Sequence, residues 1–120
     1  MSKQYPILGS PLKVNGVTLK NRMITTSMSP GHGYVDDDNH PTDRLAAYLE
    51  ERAAGGTAMI IQTICPWERT DIEGLHPLPC CYDESCVPEL KKYMVDPVHK
   101  HDGLICAQIY YVHDFKPAAD

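Results

Sequence analysis

The chain has 120 residues, 42% of them hydrophobic and 22% charged, and a formal net charge of −5. This length predicts one domain at most, and the composition is ordinary for a globular protein. The negative charge argues against a nucleic-acid surface, which needs clustered Lys and Arg. Apolar runs such as Ala58 to Ile61 are far too short to span a membrane, and the N-terminus lacks the apolar core of a signal peptide. We therefore expect a cytoplasmic protein that binds neither nucleic acid nor membrane.

Residues 10–22 predict a β-hairpin. Asn15-Gly16 lies between two short runs in which apolar and polar residues alternate, a pattern typical of a type I′ turn. Met23 to Met28 follows and is rich in β-branched residues, which favour a strand.

A helix and a second strand come next. Thr42 is the expected N-cap of the helix, and Gly55-Gly56 is expected to end it. The apolar stretch within Thr57 to Cys65 does not alternate with polar residues, as in a strand buried on both faces of a parallel sheet.

The remaining elements repeat this order. Residues 66–86 contain three prolines and predict a long loop. Val87 to Lys100 predicts a second helix, in which Pro97 should cause a kink or break the last turn. Leu104 to Tyr111 predicts a third strand.

A β-α-β-α-β unit over residues 23–112 therefore follows the hairpin. Strands that alternate with helices indicate an α/β fold with a parallel sheet. Three strands leave open sheet edges and uncovered apolar faces, so the unit is expected to be incomplete by itself.

Five cysteines are an odd number, and reduced thiols fit a cytosolic chain better than a disulfide framework. Cys80, Cys81 and Cys86 do not have the spacing of an iron–sulfur motif, and Cys65 is expected to be a small buried residue. The residues between His32 and His40 lack the spacing of a zinc or calcium site. No metal site is expected.

Four sequence blocks resemble the NADH:flavin oxidoreductase / Old Yellow Enzyme family. They occur in the family's order and cover roughly residues 7–113: Leu8 to Leu12 with Val17 to Arg22, Thr42 to Leu45, Glu50 to Gly56, and His99 to His101 leading into Cys106 to Gln108. Trimethylamine dehydrogenase and 2,4-dienoyl-CoA reductase are related to this family.

The resemblance implies that the chain holds the first three β/α units of a (β/α)8 TIM barrel, preceded by a hairpin that plugs its base. Such barrels bind ligands at the carboxyl ends of their strands. The family binds FMN there and passes hydride from NAD(P)H to the activated double bond of an enone, enoate or enoyl thioester. One branch oxidises amines instead. A 4Fe-4S cluster is implied only for a longer chain.

The resemblance also implies cofactor-binding positions, without assigning a catalytic residue. The flavin would contact the ends of the three strands, namely Ser27, Met28 and Ser29, then Thr63 and Ile64, and finally Gln108, whose amide would bond the pyrimidine edge. Ser29 occupies the place of the cysteine that attaches flavin covalently in the amine branch, so FMN should be non-covalent. Tyr111 replaces the family's histidine, and Trp67 and Tyr110 could stack on substrate or simply pack.

The family's substrate-binding pair, flavin-contacting arginine and phosphate-binding loops correspond to positions after residue 120. The chain alone is therefore expected to bind FMN weakly or not at all, and to need self-association or a complementary chain. An alternative hypothesis is a non-catalytic truncated or split-barrel module that assembles with such a partner. A further alternative is an unrelated small α/β domain with a covered sheet.

Overall fold

The computed structural model describes residues 4–28, 31–66 and 77–110. Its strands form two sheets. A two-stranded antiparallel sheet consists of β1 (Leu12–Val14) and β2 (Val17–Leu19). A three-stranded parallel sheet has the order β3 (Ile24–Thr25), β4 (Met59–Ile64) and β5 (Leu104–Ile109).

The β1–β2 turn requires an unusual backbone. Asn15 and Gly16 have φ angles of 41° and 86°. Positive φ at both central residues is what a type I′ turn demands, and Asn followed by Gly tolerates it best. The turn thus sets the register that pairs Val14 with Val17.

Helix α1 (Asp43–Ala54) connects β3 to β4, and its N-cap differs from the expectation. Thr42 is at the N-cap position, but its hydroxyl does not bond to the helix. It donates instead to the carbonyl oxygens of Gly33 and Tyr34. The residue therefore attaches the preceding loop to the start of α1.

A continuous helical run connects β4 to β5. It begins with a 3₁₀ turn and includes one π turn: 3₁₀ at Glu84–Cys86, α2 at Val87–Leu90, π at Lys91–Val95 and α3 at Asp96–His99. Of the two expected effects of Pro97, a kink or a broken last turn, the break does not occur, because helical geometry continues to His99. Proline has no N–H and its ring collides with the carbonyl four residues back. The turn before Pro97 is therefore widened to a π turn, in which the N–H of Asp96 donates to the carbonyl oxygen of Lys91.

Other boundaries also need correction. The first parallel strand pairs over two residues only, not from Met23 to Met28. The stretch 66–86 is not a loop throughout, because Cys80 forms a parallel bridge with Cys65 and Asp83 caps the 3₁₀ turn. Tyr111 lies outside the described residues.

The hydrophobic core lies between the sheet and the helices. Its buried members come from α1, β4, the π turn and α3: Leu45, Leu49, Ala53, Ile60, Ile64, Met94 and Val98. Burial along β4 alternates strictly, so one face of the strand meets the helices and the other is less covered. In the part of the chain that the structure describes, no helix is long and apolar enough to cross a membrane.

Candidate functional site

The register of β4 and β5 determines which side chains share the less covered face. Ile60 pairs with Ile105 on the side of the core, and Thr63 pairs with Gln108. Because side chains alternate along a strand, Thr63 and Gln108 point away from the helices. Gln108 is exposed and Thr63 is half-buried.

Ser27 extends this polar row to the first parallel strand. Its hydroxyl is in hydrogen-bond contact with the hydroxyl of Thr63. Ser27 therefore lies beside Thr63, and Thr63 is in register with Gln108. Two hydroxyl groups and one amide group, from three neighbouring segments, therefore lie in a row at the carboxyl edge of the sheet.

Met28, the next predicted site residue, is 53% exposed. The hydroxyl of Tyr48 on α1 approaches its Sδ atom at 4.0 Å. Tyr48 in turn packs edge-on against Tyr34, with 5.4 Å between ring centroids. An aromatic pair between α1 and its preceding loop thus flanks Met28.

Ile64 differs from the other predicted site residues. Its side chain is 6% exposed and packs in the core. Its carbonyl accepts a hydrogen bond of 2.9 Å from the N–H of Tyr110. A ligand at the carboxyl edge could meet Ile64 only through its main chain.

Three residues singled out in the sequence, Ser29, Trp67 and Tyr111, lie outside the described residues. Tyr110 is described and is 43% exposed. The structure therefore brings together Ser27, Thr63 and Gln108 from the predicted flavin wall. The contact between the two hydroxyl groups was not anticipated, because the ladder of β3 ends at Thr25 and sequence patterns do not position Ser27.

A contact between two side chains attaches the loop before α1 to helix α2. His40 Nδ1 lies 2.5 Å from a carboxylate oxygen of Glu89. The hydrogen bond with Glu89 raises the pKa of His40, and the charges of Asp36 and Asp38 act in the same direction against partial desolvation. Asp36 also accepts hydrogen bonds from the backbone N–H groups of Asp38 and His40. These acidic residues therefore shape the loop.

Lys100 and His101, which follow α3, contact α1 through Glu50. Lys100 Nζ lies 2.6 Å and His101 Nε2 3.2 Å from the same oxygen of Glu50. The bond with Lys100, followed by that with His101, lowers the pKa of Glu50. Within the described residues, no group of three or more His, Cys, Asp or Glu side chains could hold a metal ion.

The chain matches proteins of one family. Residues 8–115 match the model of the NADH:flavin oxidoreductase / NADH oxidase family. A probable N-methylproline demethylase from Rhizobium meliloti is 30% identical over 107 residues, which are 89% of this chain and 15% of that protein. A cinnamate reductase from Clostridium sporogenes is 34% identical over 82 residues, which are 67% of this chain and 12% of that protein. The chain thus spans less than a fifth of the length of these relatives.

The structure also matches solved enzymes. It superposes on the old yellow enzyme from Trypanosoma cruzi with a TM-score of 0.69 and 30% sequence identity, covering 88% of this chain and 27% of that one. That neighbour is a TIM-barrel enzyme, and the resemblance inferred from the four sequence blocks is confirmed. The chain belongs to the NADH:flavin oxidoreductase / NADH oxidase family.

Proposed function

We propose that this chain forms the first three β/α units of an FMN-dependent oxidoreductase that uses NAD(P)H to reduce an activated C=C bond. The substrate class would be enones, enoates or enoyl thioesters, because a cinnamate reductase is among the relatives. The observation that carries the proposal is the polar row of Ser27, Thr63 and Gln108 at the carboxyl edge of a parallel sheet. Ligand sites of such barrels lie at this edge.

The side chains present fit the polar edge of a flavin. The Gln108 amide offers a donor and an acceptor, which the pyrimidine edge requires, and its exposure leaves it accessible to a ligand. The contact with Ser27 restrains the Thr63 hydroxyl next to Gln108. Ile64 would contribute main-chain atoms, and Ser29 would follow Ser27 and Met28 along the wall. When bound, FMN would accept hydride from NAD(P)H and pass it to the substrate.

A titration of the isotope-labelled chain with FMN tests the wall directly by NMR. We expect weak binding, with a Kd on the order of 1 mM, and amide shifts centred on Ser27, Thr63 and Gln108. Riboflavin should produce the same shifts, because this part of the barrel would contact the ring and not the phosphate. Shifts that require the phosphate would contradict that arrangement.

Gln108→Leu provides the matched test of the amide. It should weaken FMN binding about tenfold, or ~1.4 kcal/mol, because the hydrogen bonds between the amide and the flavin would be lost. Gln4→Leu, an identical change at an exposed residue before the hairpin, is the control and should leave the affinity unchanged. Equal effects of the two substitutions, or no shifts at the strand ends, would exclude this wall.

Amine oxidation is the second candidate activity, and the probable N-methylproline demethylase among the relatives favours it. The two reactions can be distinguished experimentally because they use different reductants: NAD(P)H in C=C reduction and the amine substrate itself in amine oxidation. With protein expressed from the complete open reading frame that contains this segment, a C=C reductase consumes NAD(P)H when cinnamate is added. An amine dehydrogenase instead bleaches its own flavin when an N-methylated amino acid is added without NAD(P)H.

A third candidate is a split-barrel module that docks with a complementary chain or with a second copy. The exposure of β5 favours it, since every residue from Cys106 to Ile109 is exposed. Ile109 is 65% exposed and, among the described strands, β5 pairs on one side only. An unpaired strand edge is a template for a further strand.

A further inference from the structure

Two buried thiols face each other beside the carboxyl end of β4. The Sγ atoms of Cys80 and Cys86 are 3.7 Å apart, and the two residues are 2% and 3% exposed. A disulfide needs an Sγ–Sγ distance of about 2.0 Å, so less than ~2 Å of closure separates the dithiol from a bond. Side-chain rotation and small backbone shifts can provide such a movement without rearranging the fold.

Backbone hydrogen bonds hold both cysteines near these positions. The N–H of Cys80 donates to Asn39 O at 3.0 Å, and Cys80 pairs with Cys65 in a β-bridge. Cys86 ends the 3₁₀ turn that Asp83 caps through the N–H of Ser85. The approach of the two thiols therefore results from two fixed pieces of backbone.

The other cysteines have different environments. Cys81 directs its thiol to the carbonyl of Cys65 at 3.1 Å, and Cys65 directs its own thiol to Leu78 O at 3.4 Å. Cys106 is exposed on β5. Cys80 and Cys86 are thus two buried thiols in direct contact with each other.

We propose that Cys80 and Cys86 form a redox-active dithiol that hydrogen peroxide converts into a disulfide. One thiol sulfur attacks the peroxide, the O–O bond breaks, and a sulfenic acid and one water form. The second sulfur then displaces the sulfenic oxygen as a second water, and the S–S bond forms. Two S–H bonds are lost, the dithiol gives up two electrons, and one peroxide is reduced to two waters.

The bond would attach Cys80, which is bridged to Cys65 after the end of β4, to the 3₁₀ turn that precedes α2. Burial, followed by the hydrogen bond with Cys86, raises the pKa of Cys80 to about 12. The thiol is then protonated at neutral pH, so oxidation should be slow while the chain stays folded. The proposal does not depend on flavin binding.

Peptide mapping after peroxide treatment tests whether Cys80 and Cys86 become linked. All samples carry Cys106→Ser, because this substitution removes the exposed thiol. Trypsin leaves Cys80, Cys81 and Cys86 in one peptide, but a protease that cleaves after Glu84 separates Cys86 from the other two. We expect two thiols to be lost, a mass decrease of about 2 Da, and a disulfide-linked peptide pair after cleavage at Glu84.

Single substitutions then assign the bond. The linked pair should persist in Cys81→Ser and disappear in Cys80→Ser. Linkage that survives Cys80→Ser, or peroxide treatment that oxidises Cys81 while Cys80 and Cys86 remain alkylatable, would overturn the proposal. If a further variant fails to fold, the Cys106→Ser variant still tests the proposal. Absence of the disulfide-linked peptide pair in that variant is sufficient to reject the proposal.

Discussion

At the residue scale, His40 and Glu89 connect the loop before α1 to helix α2. Their side chains are 41% and 44% exposed, so solvent screens the pair and its contribution stays below about 1 kcal/mol. The folded state raises the pKa of His40, mainly through the bond with Glu89. The stabilisation by the His40–Glu89 pair is therefore complete below about pH 6.5, the pKa of His40 in the unfolded chain. It is lost as the pH rises through the higher pKa of His40 in the folded chain.

Glu89→Gln should consequently destabilise the chain at about pH 6 and have little effect at about pH 9, where His40 is neutral in both states. Urea unfolding at the two pH values measures the difference. Glu84→Gln, at an exposed residue of the adjacent 3₁₀ turn, is the control and should show no such pH dependence. An equal effect of Glu89→Gln at both values would show that protonated His40 is not its partner.

At the element scale, the turn from α3 into β5 depends on a residue without a side chain. A Cβ atom on Gly103 would lie 2.9 Å from Cγ1 of Val98 and 3.2 Å from its carbonyl oxygen. Val98 is completely buried, so its side chain has little freedom to move. The close approach lets α3 pack against the start of β5.

Gly103→Ala should therefore lower the free energy of unfolding by about 1–3 kcal/mol, the usual effect of overpacking. Chemical denaturation measures it. In a Val98→Ala background the same substitution should cost less, since the closest colliding atom is gone. Strictly additive effects of the two substitutions would show that the loss arises from the backbone of the turn.

The helical elements also show where sequence patterns stop being informative. The spacing of apolar residues predicted a helix from Val87 to Lys100, and Pro97 indicated a kink or a break in it. The pattern could not distinguish a broken helix from a π turn at Lys91–Val95, because that depends on whether Met94 and Val98 both remain in the core. Likewise, the sequence could not decide whether Ile64 would face a ligand through its side chain or its main chain, and the register of β4 places the side chain among the helices.

At the scale of the whole molecule, the described sheet has helices on one face and two edges without a neighbouring strand. We expect the isolated chain to self-associate through β5 as concentration rises, because an unpaired strand promotes pairing. Ile109→Lys should reduce the association constant at least about tenfold, since a charged side chain on an edge opposes pairing.

Sedimentation velocity over a range of concentrations measures this association. Val87→Lys is the matched control, because Val87 is 57% exposed and lies on α2, away from the edge. Equal weakening by both substitutions, or a monomer at all concentrations, would argue against pairing through β5.

Local chemistry and family-specific blocks were sufficient to predict the β-α-β-α-β order, the Asn15-Gly16 turn and the family. Each of these depends on residues close together along the chain. The contact between Ser27 and Thr63, the opposite placement of Thr63 and Ile64, and the pairing of Cys80 with Cys86 were decided by the tertiary structure. They depend on strand register and on distances between separate segments, which hydrophobic periodicity does not specify.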